Sequence, residues 1–253
     1  MFDGRRVAAL GRAECTLLWR NRTALVSAVL VPVVMVWSMR RAVGAVDPAK
    51  YGMSPNASAM CGGIGVVLLF ALYAPLVTAF VARREDLVFK RLRTGEPTDA
   101  EILAATALPA VAVSLLQIAA LLVAGASWLR LPVPHRPELL LAGVVSGVAL
   151  LGVLAAASTA FTRTAELAQI TTLPLALVSL AGSGMFVPLD AMPHGVAEVC
   201  RTLPVTPVVD LVRMGWLGGA PSGMVVRDLV TAVAWTALAG FAVRRWFRWE
   251  PRR

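Results

Sequence analysis

Side chains that could carry out covalent chemistry are few in this sequence and lie far apart. Ser183, between Gly182 and Gly184, could act as a nucleophile. Such a serine needs a base within hydrogen-bond reach, and the two histidines, His135 and His194, lie outside the apolar runs. We therefore predict that the chain has no catalytic residue and is not an enzyme.

The sequence also lacks the spacing of a metal site or a nucleotide site. Its three cysteines form no C-x-x-C pair, which argues against a metal site and against a disulfide framework. They are Cys15, Cys61 and Cys200. A phosphate-binding loop of the form G-x-x-x-x-G-K-[ST] needs a glycine before its lysine, but Lys50 follows Ala49 and Lys90 follows Phe89. We expect no metal and no cofactor in this chain.

The most polar stretch, residues 82–101, is the candidate binding segment. It contains five basic and five acidic side chains. These are Arg83, Arg84, Lys90, Arg91 and Arg93, with Glu85, Asp86, Glu96, Asp99 and Glu101. Charged side chains are costly inside a membrane, and long apolar runs flank this segment. We therefore expect it to lie in water between two membrane spans.

Local patterns in this segment predict two helices. Residues 83–94 are strong helix formers, with Asp86 and Lys90 at the favourable i,i+4 spacing. Such a helix would be about 18 Å long, and Gly95 is expected to end it in a left-handed conformation. Thr98 and Glu101 fit a capping box, so the next helix is expected to begin at Thr98.

The remaining sequence supplies the membrane spans. Hydrophobic residues make up 58% and charged residues 15% of the chain, which is typical of a polytopic membrane protein. About 20 apolar residues cross the hydrocarbon core, and six runs fit, the last of them if it extends back to Met224. They are 23–39, 55–82, 102–129, 139–162, 167–189 and 229–243. The predicted fold is an all-α, six-helix membrane protein with a single domain, residues 1–253.

Three other features are predicted beside the spans. Residues 1–22 mix arginines with apolar residues and suit an interfacial helix. Residues 188–223 are apolar but interrupted by prolines, so we expect short re-entrant helices there, covered by protein. In the fourth run, Gly143, Gly147 and Gly152 are expected to let a neighbouring helix approach closely.

Basic residues indicate the orientation in the membrane. With the N-terminus in the cytoplasm, 16 basic residues lie on the cytoplasmic side and 8 on the other. Both termini and residues 82–101 are therefore expected to face the cytoplasm at the cell membrane. The basic excess fits orientation and contact with membrane lipids rather than nucleic acid. Trp246, Phe247 and Trp249 are expected to form an interfacial aromatic belt.

The order of these features resembles the type 2 ABC transporter permease family. Arg84-Glu85, residues 90–95 and Pro97 are similar to that family's intracellular coupling loop, although Asp86 stands where the family usually has glycine. Residues 20–23 before a span that contains Pro32 are similar to the start of its first span. Residues 184–189 and the prolines that follow, at positions 193, 204 and 207, are similar to its segment between spans five and six.

The resemblance implies a non-catalytic permease subunit that dimerises around an export path. It also implies two copies of a separate ABC ATPase subunit, which would bind ATP and Mg²⁺, with the 83–94 helix acting as a lever. The candidate ATPase contacts are Arg83, Arg84, Glu85, Asp86, Lys90 and Arg91. A homodimer and a heterodimer with a second permease both remain open, as do export and another transport role.

Two other functions fit parts of the sequence. One is a secondary transporter or channel. Proton or sodium coupling normally uses an ionisable side chain inside the membrane, and the six apolar runs contain none. An intramembrane protease would use Ser183, because Gly182-Ser183-Gly184 resembles the serine motif of rhomboid-type proteases.

The substrate path is indicated only weakly. Apolar walls favour a lipophilic drug, an antibiotic or a lipid as the substrate. Candidate path residues are Ser114, Gln117, Thr159, Ser183 and Phe186. The first three of these are typical of hydrogen bonds between helices as well as of substrate contact.

Overall fold

The computed structural model describes Val34, Ser38 and residues 55–95, 97–127, 131, 133–219 and 221–250. The predicted interfacial helix, 1–22, and the first predicted span, 23–39, lie outside this part of the chain except for Val34 and Ser38. The described residues form an all-helical structure without strands.

Five helices in the described part are long and apolar enough to cross a membrane. They are Asn56–Glu85, Asp99–Ser127, Pro137–Ser158, Ala165–Gly182 and Ser222–Trp246. Each coincides with one of the last five predicted spans. The fifth predicted span ends at Gly182 rather than at residue 189, and the sixth begins at Ser222, so that it includes Arg227 and Asp228.

The first described span is not a uniform α-helix. It consists of α1, Pro55–Val67, a π-helical segment, Leu68–Tyr73, and α2, Ala74–Glu85. Pro75 lies in the first turn of α2. Proline lacks an N–H group, and its ring clashes with the carbonyl four residues earlier in an α-helix. The wider turn directly before Pro75 relieves that clash, because a π-helical turn accommodates an extra residue.

Eight further elements follow along the chain. They are α3, Val88–Arg93; α4, Asp99–Ser127; α5, Pro137–Ser158; α6, Ala165–Gly182; a 3₁₀ turn, Leu189–Ala191; α7, His194–Arg201; α8, Thr206–Leu217; and α9, Ser222–Trp246. The region 188–223 thus holds two short helices, whose insertion into the membrane stays a prediction.

Helix α8 lies at the centre of the packing, against α1 and α5. A Cβ atom added at Gly215 would lie 2.4 Å from the backbone nitrogen of Leu140, and one at Gly143 would lie 3.0 Å from that of Val212. A Cβ at Gly147 would similarly meet Leu68 at 2.7 Å, whereas no described residue lies within 4 Å of one at Gly152. The predicted close approach is confirmed at Gly143 and Gly147 and is wrong at Gly152.

The predicted continuous helix over residues 83–94 is wrong. Helix α2 ends at Glu85, Asp86 is its C-cap, and α3 begins only at Val88. The left-handed residue is Leu87, with a φ of 57°, whereas Gly95 has no positive φ. Asp86 therefore lies outside α3, and Lys90 forms its ion pair with Glu250 at 2.9 Å instead.

The predicted capping box before the next span is confirmed. The backbone N–H of Thr98 donates to Oε2 of Glu101 at 2.7 Å, and the N–H of Glu101 donates to Oγ1 of Thr98 at 3.4 Å. These two bonds satisfy backbone donors that a helix start leaves without partners. They account for the beginning of α4 at Asp99.

Candidate functional site

Arg84, at the end of α2, reaches across to the turn between α5 and α6. Its guanidinium donates to three backbone carbonyls, those of Thr159 at 3.0 Å, Thr162 at 2.6 Å and Arg163 at 3.1 Å. The last carbonyls of a helix have no partner within the helix and carry partial negative charge. Thr159 is the C-cap of α5, and Thr162 and Arg163 lie in the turn that follows it. Arg84 is only 1% exposed, so it binds the C-cap of α5 and this turn from inside the protein.

Glu85 binds the first residue of α6, the helix that begins directly after that turn. Its Oε2 accepts a hydrogen bond from the backbone N–H of Ala165 at 3.1 Å. Ala165 is the first residue of α6, and the N-cap Thr164 accepts a second bond from the N–H of Leu167. A carboxylate is favourable at the positive end of a helix, and Glu85 itself remains exposed.

The adjacent pair Arg84-Glu85 therefore joins three helices at one end of the bundle. Its basic member binds the end of α5, and its acidic member binds the start of α6. Each charge is matched to the partial charge of the helix end that it meets. The pair is here called the double cap, and it ties the position of α2 to the positions of α5 and α6.

Helix α3 is held in place by one buried aromatic side chain. Phe89 is 0% exposed, and its ring centroid lies 6.3 Å from that of Phe80, 6.1 Å from that of Phe247 and 5.7 Å from that of Trp249. Arg93 lies over the Trp249 ring at 4.6 Å. Phe247 and Trp249 thus pack on α3, and their place in an interfacial belt stays a prediction.

The outward side of this loop is charged and accessible. Asp86, Lys90 and Arg91 are exposed, and Leu87 is 39% exposed. Of the six predicted ATPase contacts, these three together with Glu85 lie on the surface, while Arg83 is half-buried. Arg84 is buried, with its side chain facing the interior. Contact of these six residues with an ATPase stays a prediction. The exposed ion pair of Lys90 contributes only about 0 to 1 kcal/mol.

The five predicted path residues do not meet in one place. Thr159 lies before α6 and Ser183 lies directly after it. At 1.5 Å per residue, the 18 residues of α6 separate them by about 27 Å. Ser114 and Gln117 are buried on α4, the hydroxyl of Ser114 bonds to the carbonyl of Val111 in its own helix, and Phe186, half-buried, follows Ser183. A substrate path through these residues stays a prediction.

Ser183 lacks the base that a nucleophile requires. Its Oγ atom is buried and makes no hydrogen bond with any described residue. Nδ1 of His194 lies 3.7 Å from Oε1 of Glu198, and Nδ1 of His135 lies 3.1 Å from the carbonyl oxygen of Trp216. Neither histidine is therefore bonded to the serine, which weighs against a protease. Among the described residues no group of three or more His, Cys, Asp and Glu side chains could hold a metal ion.

A second group of charges lies at the opposite end of the bundle, around a cavity of about 160 Å³. Its ion pairs are Asp190 with Arg201 at 3.4 Å, Asp210 with Arg213 at 3.2 Å and Asp228 with Arg227 at 2.9 Å. Burial raises the pKa of Asp210 to about 6, against the opposing effect of Arg213. Arg227 and Asp228 lie within α9, directly before the predicted apolar run 229–243.

Two parts of the site escaped prediction from sequence. The carbonyl partners of Arg84 lie 75 to 79 residues further along the chain, and nothing local to Arg84 indicates them. Phe89 did leave a signal, because it is the single aromatic residue in the charged segment 82–101. Phenylalanine is among the residue types most often fully buried.

Comparison with known protein families adds the identity of the fold. Residues 5–217 match the family described as ABC-2 type transporter. No curated protein matches the chain at a significant level. The family match spans the double cap, α3 and the two short helices α7 and α8, and it includes most of the sequence. The chain therefore belongs to the ABC-2 type transporter family, as a multi-pass permease of the kind that associates with an ABC ATPase.

Proposed function

We propose that the chain is the membrane subunit of an ATP-driven exporter and that residues 85–91 bind its ATPase. The family supplies the association with an ABC ATPase. This surface is favoured because Asp86, Lys90 and Arg91 are exposed on a loop that the double cap and Phe89 hold in place. A docking surface on a rigid base loses less conformational entropy on binding than a free loop does.

The double cap is the observation that carries the proposed mechanism. An ATPase that closes on ATP pushes on α3, and α3 moves with the end of α2 because Phe89 packs on Phe80. Arg84 then transmits the movement to α5, and Glu85 transmits it to α6. Three spans are displaced together, which is a rigid-body response of packed helices rather than a local loop movement.

The rest of the proposed assembly follows from this mechanism. Two copies of the chain form a homodimer around the path, and each binds one ATPase subunit that holds ATP and Mg²⁺. The described spans expose chiefly apolar side chains, among them Val123, Leu141 and Val233. These surfaces suit a lipophilic drug, an antibiotic or a lipid as the exported substrate.

Replacement of Glu85 by alanine tests this proposal. Glu85 is exposed, and loss of a helix cap costs about 1 kcal/mol, so we expect folding and membrane insertion to survive. If Glu85 also contacts the ATPase, truncation of that contact weakens ATPase binding by more than about tenfold. Transport and ATP hydrolysis, measured side by side in proteoliposomes with the partner ATPase, should show fewer molecules exported per ATP.

Two variants separate the roles of Glu85. Asp99→Asn removes another exposed carboxylate at the same end, one that pairs with Arg93 at 2.9 Å, and should leave coupling unchanged. Thr164→Ala weakens the start of α6 without touching the docking surface, so it should lower stability but not ATPase affinity. Wild-type export per ATP in Glu85→Ala would exclude Glu85 from coupling. Hydrolysis of ATP by the pure chain would contradict the separate ATPase.

A further inference from the structure

A basic, aromatic cavity opens at the same end of the bundle as α3. Its volume is about 530 Å³, and its described lining is Ala160, Phe161, Arg245, Trp246, Phe247 and Arg248. Sites for small organic ligands commonly occupy about 300 to 1,000 Å³. The lining comes from two parts of the chain, the turn after α5 and the end of α9, and nothing in the proposed coupling mechanism uses it.

Both walls of this cavity are fixed by contacts already described. Residues 160 and 161 lie in the turn whose carbonyls bind the buried guanidinium of Arg84. On the other wall, Phe247 and Trp249 pack on Phe89. The backbone at Phe247 is extended, and alternate residues of an extended chain point to opposite sides. Arg248 therefore points away from Phe89, and it lines the cavity together with Phe247.

The charge of the cavity favours an anion. Of its described lining residues two are arginines and none is acidic. Among the described residues, no carboxylate forms an ion pair with Arg245 or Arg248, and the nearby Glu250 is bound to Lys90. Arg84 already neutralises the negative end of α5 beside the cavity, so the helix end does not repel an anion there. A guanidinium is well suited to two parallel hydrogen bonds with a phosphate.

The aromatic side chains favour a lipid over a free ion. Phe161 is 75% exposed and Trp246 is 54% exposed, and both lie directly beside the ends of membrane spans α5 and α9. Exposed tryptophan at such a place is typical of the boundary between lipid headgroups and acyl chains. A phospholipid places its phosphate and its first acyl carbons at that same boundary.

We propose that this cavity binds the headgroup of an anionic phospholipid, with its phosphate on Arg245 and Arg248 and its acyl region against Phe161 and Trp246. The bound lipid bridges the turn after α5 and the tail after α9, and therefore lies beside the double cap and the anchor of α3. This inference does not depend on the substrate or on the ATPase.

Native mass spectrometry of the purified chain with defined lipids tests the proposal. We expect the wild type to bind phosphatidylglycerol in preference to phosphatidylcholine. Arg245→Gln with Arg248→Gln should weaken phosphatidylglycerol binding by about thirtyfold, since each basic residue near an anionic lipid contributes about a factor of five. Arg245→Lys with Arg248→Lys, which keeps both charges, should retain most of the binding.

A charge-matched variant and a competitor complete the experiment. Arg136→Gln with Arg201→Gln removes the same charge from exposed positions at the opposite end and should bind phosphatidylglycerol like the wild type. Glycerol 3-phosphate at millimolar concentration should not displace the lipid. Wild-type binding by the double glutamine variant would overturn the proposal. Full displacement by glycerol 3-phosphate would contradict a lipid as the ligand and would indicate a site for free phosphate compounds.

Discussion

Arg84 and Glu85 are neighbours in the sequence, yet they bind opposite ends of two successive helices. The turn between α5 and α6 brings the carbonyls of one helix and the first amide of the next close together. A basic residue followed by an acidic one fits both ends at once, because the partial charges of helix ends are opposite in sign. The charges that resemble a docking motif therefore also hold the bundle together.

The fork of hydrogen bonds made by Arg84 gives a sharp prediction. Lysine has the same charge, but its single ammonium group cannot reproduce the planar geometry of a guanidinium. Arg84→Lys should leave buried carbonyls without donors and cost about 1 to 3 kcal/mol. The midpoint of thermal unfolding in detergent should fall by several degrees. Arg91→Lys, an exposed exchange on the same segment, is the control, and equal stability of the two variants would contradict the capping role.

The buried carboxyl of Asp210 gives a prediction about pH. Its pKa in the folded protein, about 6, exceeds the ordinary 3.8, so the folded state binds the proton more tightly than the unfolded state. Stability should therefore be greatest below about pH 4, fall by about 3 kcal/mol between pH 4 and 6, and level off above pH 6. Asp210→Asn should abolish this part of the pH dependence. An unchanged profile of unfolding temperature between pH 4.5 and 7 in the variant would show that another group is responsible.

At the scale of the element, α3 shows how tertiary contacts override local propensity. The sequence between residues 83 and 94 favours one continuous helix. Instead α2 ends at Glu85, and Leu87 adopts a left-handed backbone conformation before α3 begins. Such a conformation costs about 1 to 2 kcal/mol for a residue other than glycine. Burial of Phe89 among Phe80, Phe247 and Trp249 contributes about as much or more, and that burial depends on a tail 158 residues away in the case of Phe247.

Other elements were predictable because their signals are local. The apolar runs correctly predicted the last five spans, and the capping box of Thr98 and Glu101 correctly predicted the start of α4. Both signals lie within the element that they define. The carbonyl partners of Arg84, the direction of Phe247 and the charges around Asp210 all depend on contacts between distant elements. They could not be read from residue types or from spacing.

The contact between α5 and α8 can be tested with two glycines. A methyl group at Gly215 would meet the backbone of Leu140 at 2.4 Å, and backbone atoms cannot turn aside as a side chain can. Gly215→Ala should therefore cost about 1 to 3 kcal/mol through overpacking. Gly152 also lies within α5, and no described residue comes within 4 Å of a methyl group there. Gly152→Ala should therefore stabilise the protein by about 0.5 to 1 kcal/mol. Equal thermal stability of the two variants would mean that the helices are not in close contact.

At the scale of the whole molecule, the bundle has two chemically different ends. One end carries the double cap, α3 and the aromatic tail, and the other carries the short helices α7 and α8 with the three ion pairs. The turn before α5 is fixed to the second end, since the N–H of Arg136 donates to the carbonyl of Gly215 at 2.9 Å. Successive connections thus lie at alternate ends, as expected for helices that cross a membrane.

Cysteine labelling can establish which end faces the cytoplasm. Cys61 and Cys200 are buried, so introduced cysteines are better probes in a variant that lacks the natural ones. The side chain of Lys90 is 60% exposed and Val199 is 66% exposed, at opposite ends. From the distribution of basic residues, an impermeant thiol reagent applied to intact cells should label Val199→Cys and not Lys90→Cys. Labelling of Lys90→Cys but not of Val199→Cys would contradict the predicted orientation.

The π-helical segment Leu68–Tyr73 determines which way the end of its span faces. Each residue of an α-helix turns the chain by about 100°, and a π-helical turn carries one residue more. Deletion of a single residue there would rotate everything beyond it by about that angle around the helix axis. Tyr73, which meets Ser158 at 2.9 Å, and Arg84 would both turn away from α5. The rotation of this helix about its axis, and not only its length, thus decides whether the span contacts α5 through Tyr73 and Arg84.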